Sequence, residues 1–114
     1  MGLFSRLGGR RGASRPAAEG REQRHLASAH LEEFVRTRSG VEAFVEPSTT
    51  VTPTTLLLVA KDGEWTRRPV PDPTRAGEFA HRLSIPIYDV NLTGYPQRMR
   101  DFNARRKAEG REQA

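Results

Sequence analysis

The stretch "TLLLVAKDGEWTRRPV", Thr55 to Val70, leaves this chain few ways to fold. Asp62-Gly63 stands between two β-prone runs, and such a pair favours a tight hairpin because both of its residues tolerate positive φ. A two-residue turn there sets Lys61 opposite Glu64, Ala60 opposite Trp65, Val59 opposite Thr66 and Leu58 opposite Arg67. The apolar first arm then belongs at the centre of a sheet. The second arm, with Arg67, Arg68 and Pro69, suits an edge, where charge and proline block further pairing.

The flanking segments supply the rest of a small domain. Leu26, Ala27, His30, Leu31, Phe34 and Val35 recur at helical spacing, predicting a helix over about 21–38 that Ser39-Gly40 stops. "VEAFVEP" alternates, with Val41, Ala43 and Val45 on one side and Glu42, Phe44 and Glu46 on the other, which predicts a strand ended by Pro47. Asp72 can cap and Pro73 can open a second helix over 73–83, with Ala76, Phe79, Ala80 and Leu83 as its buried stripe. "IPIYDV" reads as a short strand reached by a β-α-β crossover. Pro96 begins a last helix whose apolar stripe, Tyr95, Met99 and Phe102, runs out early, so its front half packs and its back half projects. Gly110 is expected to end it. The pattern predicts an α+β fold in two layers, a small mainly antiparallel sheet of about four strands with helices packed on one face.

Charge divides the chain into three. Residues 1–25 hold six Arg or Lys against two Asp or Glu, residues 26–96 hold seven against nine, and residues 97–114 hold six against three. We therefore expect a disordered basic segment over 1–20, a single domain over 21–104 and a basic tail over 105–114. Of the 19 cations all but Lys61 and Lys107 are arginine, a bias that GC-rich coding also produces. No cysteine is present, which removes disulfides and thiolate metal sites from consideration. No apolar run approaches a membrane span or a signal peptide, and the expected setting is the cytoplasm, with no membrane partner.

The residues that carry chemistry are sparse. His30 lies among Leu and Phe on the first helix and reads as a core histidine with one satisfied nitrogen; His81 has no ligand partner at metal spacing. Glu42 and Glu46 share a strand face but sit roughly 13 Å apart, too far to cooperate as acid and base. No nucleophile elbow, phosphate loop or dinucleotide fingerprint occurs, and no catalytic residue, cofactor or metal site is expected. Two surfaces remain. One is basic: Arg67 and Arg68 on the edge strand, and Arg98, Arg100, Arg105, Arg106 and Lys107 on the last helix, a footprint suited to phosphate-rich partners. The other is aromatic: Trp65, and Phe44, which is either covered by a helix on the second sheet face or available to a protein.

The segments "DGEWTRR", "IPIYDV" and "GYPQRMRDF", within residues 25–107, resemble a family of small actinobacterial proteins, largely uncharacterised. Some of its members are loosely labelled oxidoreductase. That resemblance implies oxidoreductase activity as one alternative and brings no catalytic residue with it. From the residues themselves the expected function is non-catalytic binding of RNA, DNA or a ribonucleoprotein through the basic ends. A protein-interaction module using Phe44 and Trp65 is the alternative.

Overall fold

The computed structural model of the chain describes residues 15–113. In order it contains α1 (Arg15–Thr37), β1 (Glu42–Glu46), β2 (Thr55–Val59), β3 (Trp65–Pro69), α2 (Pro73–Arg82), β4 (Ile87–Asp89), the single turn α3 (Val90–Thr93) and α4 (Gln97–Gln113). The strands form one sheet in the order β3-β2-β1-β4. Both β1-β2 and β2-β3 are antiparallel, and β4 runs parallel to β1. This is the α+β class expected, with a four-stranded, mainly antiparallel sheet.

The helices cover both faces of that sheet, where the sequence led us to expect one. Alternation along β2 sends Leu56 and Leu58 to one side and Leu57 and Val59 to the other, and all four are fully buried. Each such side chain contributes about 1.5–3 kcal/mol on burial, so an uncovered face would forfeit several kcal/mol. On the first face, Leu31 and Phe34 of α1 and Ala76, Phe79 and Ala80 of α2 pack on Ala43, Val45, Leu56 and Leu58. On the second, Met99 of α4 packs on Phe44, Leu57 and Val59, with Trp65 beside them. Phe44 is therefore core, 4% exposed, and offers nothing to a partner.

The hairpin closes one residue later than a two-residue turn would allow. Ala60 N–H donates to Glu64 O at 2.8 Å, Gly63 N–H donates to Ala60 O at 2.9 Å, and Val59 pairs with Trp65. Lys61, Asp62 and Gly63 form a three-residue loop, with Gly63 at φ 95° in the bulge position. A shift of one residue exchanges the faces of a strand. Here it places Trp65 and Arg67 on the second face, opposite Val59 and Leu57, and leaves Thr66 and Arg68 on the first.

Helix limits also differ from the periodic reading. α1 begins at Arg15, so residues 15–20, expected to be unstructured, are helical; residues 1–14 lie outside the described residues. Its buried stripe is Leu31 and Phe34 flanked by Ala27 and Val35, whereas Leu26 is 60% exposed and His30 is exposed. α1 stops where expected, with Gly40 at φ 63°. α2 has the expected cap: the Asp72 carboxylate accepts from Arg75 N–H at 2.8 Å, with Pro73 in the first turn. α4 continues through Gly110, so the helix does not break there or at the expected start of the tail, residue 105. Among the described residues no helix is long and apolar enough to cross a membrane.

Candidate nucleic-acid interface

Seven cationic side chains stand out in the sequence, and the fold sorts them into two groups. Arg67, brought to the second face by the hairpin loop, grips Glu46 with two bonds, Nε to Oε1 at 2.9 Å and Nη2 to Oε2 at 2.8 Å. The same carboxylate accepts from the Thr55 hydroxyl at 2.6 Å and the Tyr95 hydroxyl at 2.5 Å. Burial pushes the Glu46 carboxyl up, but the hydrogen bonds from Arg67, Thr55 and Tyr95 and the positive charge of Arg67 outweigh it, holding the group below the usual carboxylate range. Tyr95 is raised, by its bond to Glu46 first and by burial second. The Arg67 guanidinium also lies 5.0 Å from the centre of the Trp65 ring.

Arg98, in the first turn of α4, is committed in the same way. It donates to Glu42 at 2.7 Å and to the carbonyls of Ala60 at 2.9 Å and Val59 at 3.3 Å, tying the helix to the sheet. The Trp65 indole N–H donates to Asn103 Oδ1 at 2.7 Å, which fixes a second point along α4. Arg67, Arg98 and Trp65 thus hold the molecule together. Paired cations bring no net charge to a partner. Arg68 is half-buried, donating to the Arg67 carbonyl at 2.7 Å, with its other nitrogen 3.5 Å from His30 Nδ1.

The remaining four, Arg100, Arg105, Arg106 and Lys107, are all exposed on α4. Among the described residues no carboxylate pairs with any of them. Arg100 donates to Gln97 Oε1 and the Tyr95 carbonyl, and Arg105 to the Asp62 carbonyl at 3.1 Å; both contacts leave the positive charge uncompensated. Arg105 and Arg106 each lie 5.8 Å from the Phe102 ring, which half-buries itself at the point where the helix leaves the body. Beyond it every residue from Asn103 to Gly110 is exposed. The front half of α4 packs and the back half projects, as its short apolar stripe requires.

One pair escaped the sequence reading because its members are 36 residues apart: His30 Nε2 lies 2.7 Å from the Thr66 hydroxyl. A histidine beside a hydroxyl is the geometry of a general base and a nucleophile. Its surroundings give it another role. Arg68 can only donate to Nδ1, which leaves Nε2 to carry the proton and donate to Thr66, the reverse of what a base needs. Partial burial, then the charges of Arg68 and Arg38, hold the ring below its ordinary pKa and favour its neutral form. The pair links α1 to the edge strand. Among the described residues no group of three His, Cys, Asp or Glu side chains is placed to hold a metal.

No protein-family model matches the chain, and neither curated proteins nor solved structures give a match.

Proposed function

We propose that this is a non-catalytic binding protein whose projecting half of α4 contacts nucleic acid, free or within a ribonucleoprotein. The carrying observation is the sorting of its cations. Arg67 and Arg98 are held by carboxylates, while Arg105, Arg106 and Lys107 project on α4 and Arg100 lies exposed nearer the body, all four with no carboxylate partner among the described residues. A helix of that kind, polar all round beyond Phe102, has no apolar stripe with which to dock on a protein. It carries what a phosphate backbone attracts, and displacement of condensed counterions would supply the affinity. A cytoplasmic setting and membership of the small actinobacterial family belong to the same proposal, the latter on the three sequence pieces that resemble it.

The test is fluorescence anisotropy of labelled generic DNA and RNA titrated across salt. Arg105→Glu, Arg106→Glu and Lys107→Glu together should weaken binding on every sequence alike. If these three contacts carry the binding, affinity should fall roughly 20- to 40-fold between 50 and 200 mM salt, and the variant should lose that dependence. Binding that is indifferent to salt, or to the triple variant, overturns the proposal.

A further inference from the structure

A second surface lies on the opposite face of the sheet from α4, between α1 and α2. There a groove of about 670 Å³ runs over the β3–α2 connection. Pro69 and Pro71 of its floor are exposed and Ala27 and Val70 are half-buried. Arg21 and Arg24 rise from α1 on one side, Arg75 and Arg82 from α2 on the other, and Glu78 is the one acidic residue among the described residues of the lining. Arg82 is paired with Glu32 at 2.8 Å and Arg75 more loosely with Glu78 at 3.8 Å. Arg21 and Arg24 pair with no carboxylate among the described residues.

We infer that this groove docks an acidic amphipathic helix from a partner protein. Two chemistries meet in it, and the occupant must answer both. An apolar floor gives nothing to a phosphate backbone, so nucleic acid would use the rim and leave the floor wet. A small ligand is normally enclosed over 70–90% of its surface, which a groove this open to solvent does not provide. A helix needs only one face covered: its apolar stripe lies on Ala27, Val70 and the prolines while carboxylates on its flanks meet Arg21 and Arg24. A second copy of this chain does not supply that occupant through α4, whose projecting half is basic and lacks an apolar stripe.

The probe is a labelled synthetic helix of about four turns, with Leu and Phe at i, i+3, i+4 and i+7 and Glu elsewhere. A peptide of identical composition with the apolar positions scrambled off the stripe is its control. The striped peptide should bind the full chain, and the scrambled one should bind at least about tenfold more weakly, a gap of 1.4 kcal/mol. Arg21→Glu with Arg24→Glu, both on the surface, should cost about the same factor, and Arg105→Glu with Arg106→Glu should change nothing. Circular dichroism of the groove variant confirms that it is folded. Equal binding of the two peptides, no binding of either, or no response to the Arg21 and Arg24 change overturns the inference. So does displacement of the peptide by RNA when the α4 cations have been reversed, since that would make the groove a nucleic-acid surface.

Discussion

Ser84 ends α2 in the left-handed region, at φ 57°. It occupies the position after the cap in a motif where Ser84 N–H donates to His81 O and Ile85 N–H to Ala80 O, and glycine is the residue that adopts this conformation without cost. Ser84→Gly should stabilise the protein by about 1 kcal/mol, read as a higher urea midpoint at unchanged slope. Glu46 makes the opposite case, a side chain whose surroundings suit its charged form. Its folded pKa is depressed, so its contribution is complete above the ordinary value of 4.5 and is lost as pH falls through the lower folded value. Glu46→Gln cannot titrate. Melting curves of that variant should lose less stability than the parent's as pH drops below 4.5, and parallel curves would refute the assignment.

At the scale of elements, the contact between the hairpin loop and α4 decides most. A Cβ added to Gly63 would lie 2.1 Å from the Arg98 carbonyl oxygen and 2.9 Å from Phe102 Cβ, and the glycine's φ of 95° is itself one that side chains avoid. Gly63→Ala should cost about 2 kcal/mol or more and lift α4, shifting the emission of Trp65, the single tryptophan, to the red. Met99→Ala, removing the buried anchor of the same helix, should cost about 2–5 kcal/mol in chemical unfolding. The elements themselves were readable in the sequence because apolar period and turn residues act locally. The loop length was not, since Lys61-Asp62-Gly63 and a two-residue Asp-Gly turn share the same glycine, and only pairing along the whole strand separates them. Its consequences for the site were hidden as well. Arg67 reads as an unpaired edge cation until the register brings Glu46, 21 positions away, onto its face, and Arg98 finds Glu42 across 56 positions. What could be read was the outer half of α4, because it touches almost nothing.

For the whole molecule, the proposed function puts structure and binding in separable parts. The body holds Arg67 and Arg98 in carboxylate pairs, and the projecting half of α4 adds charge without core. A chain ending at Ala104 retains Met99, Phe102 and Asn103, and its main loss is the bond from Arg105 to the Asp62 carbonyl, about 1 kcal/mol. It should fold with a nearly unchanged thermal midpoint and yet lose salt-dependent binding. If that shortened chain unfolds, the projecting half is structural and its cations are incidental.

The full burial of β2 has a consequence before folding is complete. A strand covered on both faces needs an unbroken apolar run, here Leu56 to Ala60, and in the unfolded chain that run is available to pair with its own copies. Pro53 on one side and Lys61 and Asp62 on the other bracket it, the placement that checks intermolecular stacking. Refolding yield should therefore fall as protein concentration rises, and should fall further when Lys61 and Asp62 are both replaced by threonine, with aggregate light scattering as the readout.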